Sequence, residues 1–143
     1  MEESNKTIEI CIGDTAFIEK TFSYEDAFLY GEISLDRNPI HIDEDFAAKS
    51  RFGKRIIQGI LVAALISAAI GTKLPGFGSI YLAQDLKFLH PVYIGDHVRA
   101  TVTVIEIVHE KNIYRLETIC TNQKGEKVIE GIATILLQKN NVV

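Results

Sequence analysis

An acidic side chain and an imidazole stand five positions apart, at Asp36 and His41, within the run Asp36-Arg37-Asn38-Pro39-Ile40-His41-Ile42-Asp43. Pro39 restrains the backbone between them and keeps Asn38 out of the helical region, so the two functional groups could converge on one small molecule. A carboxylate and an imidazole sharing a water can activate it, one accepting its proton while the other donates or relays one, an arrangement typically worth about 10²–10⁴ in rate. An Asp free in water, with a pKa of about 3.9, is a feeble base. A pocket beside an apolar helix would raise that value. The same residues also fit a structural loop, with Asp36 capping a turn, His41 packed on a sheet and Asn38-Pro39 turning the chain. The remaining histidines, His90, His97 and His109, are not at ligand spacing from His41-Ile42-Asp43, so no metal is expected.

Gly59 opens the most apolar stretch of the chain. Its N–H would be one of the unpaired donors of a first helical turn, where the helix dipole places about +0.5 of a charge and the missing side chain admits a ligand. That is the outline of an oxyanion hole, although a glycine can also simply begin a crowded helix. Ser67, two turns further on, reads by itself as a buried hydroxyl bonded to a helix carbonyl. Arg51, Lys54 and Arg55 form the basic cluster nearest the Asp36–His41 block and could meet an anionic ligand; they also fit an ordinary solvated loop.

These groups need a scaffold, and 143 residues supply one domain spanning 1–143. The 47% hydrophobic and 24% charged content is that of a soluble globule, which argues against a disordered or coiled-coil chain. A formal charge of −4 gives no overall basic field for nucleic acid or an anionic membrane. Residues 60–70 are too short for a bilayer span, which needs about 20. Cys11 and Cys120 lie far apart without a CxxC pairing and the N-terminus has no apolar leader, so a reducing cytoplasm is the expected location.

Residues 7–12 and 16–22 read as short β runs around the turn pair Gly13-Asp14. Ser23 followed by Asp26 marks a helix start, over about 24–30. Residues 31–55 are polar and irregular, with a short helical turn at 45–48. Residues 60–70 form a helix apolar on every face, which must be surrounded by protein. Residues 79–88, 98–108, 113–121 and 127–138 read as strands of an antiparallel meander, divided by Pro91, Gly95-Asp96, Lys111-Asn112 and Lys124-Gly125. In the second of these the apolar phase switches at Ile105, which predicts a β-bulge. The last is apolar on both phases, so both its faces are expected to be covered, one by the helix and the other by a second subunit.

Taken with Phe46-Ala47, Gln58-Gly59, Ser67, Leu74-Pro75-Gly76 and the run from Ser79 to Phe88, the Asp36–Asp43 block resembles the (R)-specific enoyl-CoA hydratases of the MaoC-like, hotdog-fold superfamily across nearly the whole chain. The resemblance implies an α+β single hotdog, with a curved antiparallel sheet wrapped around one long central helix. It implies a homodimer or a dimer of dimers. By position, Asp36 and His41 match the catalytic dyad: Asp36 is the base toward water attacking C3 of a trans-2-enoyl thioester, and His41 orients that water and delivers the proton to C2. Gly59 matches the N–H donor to the thioester carbonyl, with Asn38 and Ser67 as supporting residues. Gln58 departs from the His that many members carry there.

The implied reaction needs no cofactor, coenzyme A being part of the substrate, because a conjugated thioester is already electrophilic at C3. Arg51, Lys54 and Arg55 are then candidates for the coenzyme A phosphates. A hotdog acyl-CoA thioesterase or a non-catalytic acyl-CoA-binding protein would use the same scaffold; the Asp36–His41 spacing favours hydration. Gly76-Phe77-Gly78 lacks the third glycine of a GxGxxG loop and precedes a strand, which argues against a nucleotide site.

Overall fold

A computed structural model describes residues 9–138. Strand β1 (Thr15–Thr21) is followed by helices α1 (Tyr24–Ser34), α2 (Pro39–Ile42), α3 (Glu44–Ala48) and α4 (Gly59–Thr72). Strands β2 (Ser79–Gln84), β3 (Lys87–Phe88), β4 (His97–Val108), β5 (Ile113–Thr121) and β6 (Lys127–Leu137) complete the chain. The sheet is antiparallel in the order β1-β4-β5-β6-β2, with β3 pairing beyond β2 on the same edge of β6. Helix α4 packs on its β1-β4-β5 side, giving the single-hotdog architecture expected.

The helix starts where its local chemistry says it should. Ser23 Oγ accepts from Asp26 N at 3.2 Å while Asp26 returns the bond to Ser23 N at 2.9 Å, a reciprocal capping box. Helix α1 nevertheless runs four residues past its expected end, to Ser34, where Leu35 turns left-handed (φ 68°) and donates its N–H to Gly31 O. The stretch 31–55 is therefore more helical than its polarity suggests, since Asn38 and Asp43 cap α2 and α3 by accepting from Ile40 N and Phe46 N.

The bulge falls where the apolar phase switches: β4 and β5 shift register between Val104 and Glu106. Val98, Ala100, Val102 and Val104 thus all bury toward α4. Three expectations need correction. Residues 9–11 form no strand and the turn falls at Ile12-Gly13, with Gly13 N donating to Val104 O at 2.8 Å; residues 7 and 8 lie outside the described part. The run 79–88 breaks at Asp85-Leu86, and β2 does not open the meander beside β4 but crosses the sheet to β6. Finally, α4 is not wrapped on every side: Ile60 is 56% exposed, and Ala64, Ser67 and Gly71, at helical spacing from it, are exposed as well. On β6, Ile129, Ala133 and Ile135 are buried on the helix side, whereas Ile132 and Leu136 on the other face are only half-buried.

Candidate active site

His41 lies in the single turn of α2 and is 8% exposed. Three bonds hold that turn. Asn38 Oδ1 accepts from Ile40 N at 3.2 Å, His41 N donates to Asn38 O at 3.0 Å, and Asp43 N donates to Pro39 O at 2.8 Å. Pro39 at the first helical position has no N–H to leave unpaired there. The imidazole Nδ1 meets Ile56 O at 2.7 Å. A carbonyl can only accept, so Nδ1 carries the hydrogen and, in the neutral ring, Nε2 carries the lone pair.

A cavity of about 400 Å³ opens beside this ring, lined by His41, Gly59, Val62, Phe88, Val92 and Ile129 among others, with Arg51 and His90 as further polar groups. Val62, Val92 and Ile129 are buried, so the inner wall is core packing, held in shape by the interior around it. Gly59 contributes its first-turn N–H, which has no acceptor among the described residues. A methyl placed at Gly59 would sit 2.7 Å from Phe88 Cε1, closer than real side chains pack. Only glycine lets that ring lie across the start of α4. The position therefore needs its missing side chain for space, on the wall of the cavity that His41 also lines.

Asp36 is placed differently. It is exposed on the loop between α1 and α2, and Asn38 N approaches its Oδ1 at 3.4 Å. It does not line the cavity, and neither does Ser67, which is exposed on the uncovered face of α4 instead of being a buried hydroxyl. Of the three expected cations only Arg51 shares the cavity with His41 and Gly59; Lys54 and Arg55 line a neighbouring depression with Glu44. Their charges rest over aromatic rings, Lys54 Nζ 4.4 Å from the Tyr93 centroid and the Arg55 guanidinium 4.4 Å from that of Tyr24. Asn38 serves through its cap.

Sequence reasoning missed the segment Phe88–Val92, which forms one wall of the cavity, and the Ile56 carbonyl that fixes the ring of His41. Main-chain atoms leave no residue-type signal. Phe88 stood in the matched run but gave no sign that it would cross Gly59. Cys120 offers no competing nucleophile: burial pushes its thiol up to about 12, so it stays protonated at neutral pH.

A family model described as a MaoC like domain matches residues 11–129. The chain belongs to that MaoC-like family. This MaoC-like chain is 48% identical over 125 residues to an (R)-specific enoyl-CoA hydratase from Rhodospirillum rubrum, covering 87% of this chain and 86% of that protein. It is 43% identical over 129 residues to a 3-hydroxybutyryl-CoA dehydratase from Methylorubrum extorquens, covering 90% and 81% respectively. Among solved structures, the (R)-hydratase of A. caviae involved in PHA biosynthesis superposes with a TM-score of 0.89 at 37% identity, covering 92% of the MaoC-like chain and 99% of the other.

Proposed function

We propose that the chain is an (R)-specific hydratase, a hydro-lyase that adds water reversibly to trans-2-enoyl-CoA and yields (R)-3-hydroxyacyl-CoA. The observation that carries this reading is the cavity lined by both His41 and Gly59 against an apolar wall. The names of the relatives, on both the hydratase and the dehydratase side of one reaction, support it. The Gly59 N–H stabilises the thioester oxygen as the enolate develops, the step at which a preorganised donor lowers the barrier most.

Water must then reach C3 with its lone pair foremost. In the proposed arrangement one of its hydrogens is taken by Asp36 and the other is accepted by Nε2 of His41, which turns the oxygen lone pair toward C3. With Nδ1–H held on Ile56 O, a neutral ring can orient water but has no proton on Nε2 to give. Delivery to C2 therefore falls to Asp36, which returns the proton it has just taken. Oxygen bonds to C3, the proton ends on C2, and one water is added with the carboxylate regenerated. No redox step or resident cofactor enters, because the conjugated thioester supplies its own electrophile.

The proposed assembly is a homodimer or a dimer of dimers in the cytoplasm. Ile33 is 85% exposed and Leu35 76%, on either side of Ser34 and immediately before Asp36. A second copy over this surface and the open face of α4 would cover apolar area and exclude solvent from the carboxylate.

A short trans-2-enoyl-CoA, followed by its conjugated-thioester absorbance and by free thiol, tests the reaction. Loss of absorbance without thiol is the expected result; thiol release would make the protein a thioesterase, and retained binding without change a non-catalytic acyl-CoA-binding protein.

A cavity of about 400 Å³ holds an acyl group and part of the pantetheine arm, leaving the coenzyme A phosphates outside. Arg51 is exposed, and its guanidinium lies 5.4 Å from the Phe52 ring centroid. It is the cation proposed to meet those phosphates, with Lys54 and Arg55 further out. Arg51→Ala should raise KM for the acyl-CoA by up to about fivefold, the equivalent of an exposed ion pair at roughly 0.2–1 kcal/mol. The N-acetylcysteamine thioester, which carries no phosphate, should show no change in KM; an equal rise for both substrates would remove Arg51 from this role.

A further inference from the structure

We propose that Gln58 is a positioning residue that sets the separation between Asp36 and the Gly59 amide, an inference that rests on the hydratase reading. Gln58 is the N-cap residue of α4, yet its side chain caps nothing on that helix. It is 1% exposed and donates from Nε2 to Ala27 O on α1 at 2.9 Å. Its Oε1 is buried and has no partner among the described residues. A half-satisfied buried amide is a poor choice for stability, since an apolar side chain of similar volume leaves no polar atom stranded. The value of the residue lies in what its single bond connects.

Ala27 and Gly31 are the buried residues of α1, one helical turn apart on one face. The Asp36 carbonyl packs against Gly31 so closely that an added Cβ there would stand 3.1 Å from it. Gln58 and the Asp36 loop therefore dock on successive turns of the same face, and residue 59 follows Gln58 directly. One hydrogen bond thus ties the helix that seats the carboxylate-bearing loop to the start of the helix that supplies the oxyanion donor. Gln58 itself does not line the cavity. Losing the tether should disturb the alignment of base and donor while leaving the acyl wall intact.

Three variants test this. Gln58→Asn keeps the amide but is one methylene too short to reach Ala27 O, Gln58→Leu removes both the donor and the stranded oxygen, and Gln58→His restores an N–H. With a short trans-2-enoyl-CoA, kcat should fall about tenfold or more in the Asn and Leu variants, because small misplacements of reacting groups have effects of this size or larger. KM should stay within about twofold, and His should recover most of the rate. Amide hydrogen exchange over residues 34–38 should quicken in Asn and Leu and return toward the parent in His. Full kcat with unchanged exchange in the Asn variant would overturn the proposal, and so would kcat, KM and Tm worsening together, which marks a packing role. If Leu does not fold, the Asn and His proteins still decide. If the parent itself hydrates nothing, the hydratase reading fails, while the exchange measurement still reports whether the tether exists.

Discussion

Asp36→Asn should leave a protein that folds and melts within about 2 °C of the parent, as expected for a surface substitution, yet turns over a short trans-2-enoyl-CoA at least about 10²-fold more slowly. The structural half of this expectation follows from exposure: the Asp36 carboxylate is on the surface of the single chain and makes one long contact, to Asn38 N at 3.4 Å. The kinetic half follows from chemistry. An amide oxygen cannot take and hold the proton that water must lose, nor return it to C2. His41→Gln should lose activity on a similar scale, because Nε2 is the proposed acceptor for the other hydrogen of that water, and a flexible amide is not held as the ring is by Ile56 O. Since both side chains are proposed to act on one water, the double variant should be scarcely worse than the poorer single. Multiplicative losses would mean two independent tasks. Near-normal turnover by Asp36→Asn would remove the assigned base.

What the sequence discloses here is local. The capping box at Ser23 and Asp26 and the bulge beyond Val104 each depend on neighbours within a few positions, and each is found where its pattern lies. The Asp36–His41 block is likewise a short-range signal, and so is Gly59 at the head of an apolar helix. Long-range pairing writes no such pattern. Nothing in residues 79–84 distinguishes a strand beside β4 from one beside β6, because the crossover is decided by the whole sheet. Uniform apolarity of α4 does not say which of its faces the rest of the chain covers, and the stripe at Ile60, Ala64 and Ser67 is open. Nor does a basic cluster show where its charges point: Arg51 faces the cavity while Lys54 and Arg55 turn onto Tyr93 and Tyr24. The Gln58–Ala27 bond spans 31 positions and joins a side chain to a carbonyl, a pairing without any signature in residue types.

Gly131→Ala is the substitution expected to harm the fold most. A Cβ at this position on β6 would fall on the Asp85 carbonyl oxygen, 2.8 Å from the carbonyl carbon and 3.2 Å from Gln84 Nε2. The first two are backbone atoms, so no rotamer change relieves the overlap, and the chain between β2 and β3 must move away. That movement breaks the bonds that set the break in the edge strand, Ile132 N to Asp85 Oδ1 at 2.6 Å and Asp85 N to Ile132 O at 3.1 Å. It also strains Gln84 Nε2 to the fully buried Thr118 Oγ1 at 3.0 Å, leaving that hydroxyl without a partner. Overpacking that only the backbone can relieve should cost about 3 kcal/mol or more. For a chain of this size that lowers Tm by roughly 10 °C. The damage should also reach the site, because Phe88 follows Asp85 by three residues and lies across Gly59. Thermal melting should therefore be read beside kcat/KM at a temperature where the variant is still folded. A melting temperature equal to the parent's would show that Asp85 does not pack against Gly131. Lowered stability with normal kcat/KM would show instead that the edge break does not carry Phe88 to the active site.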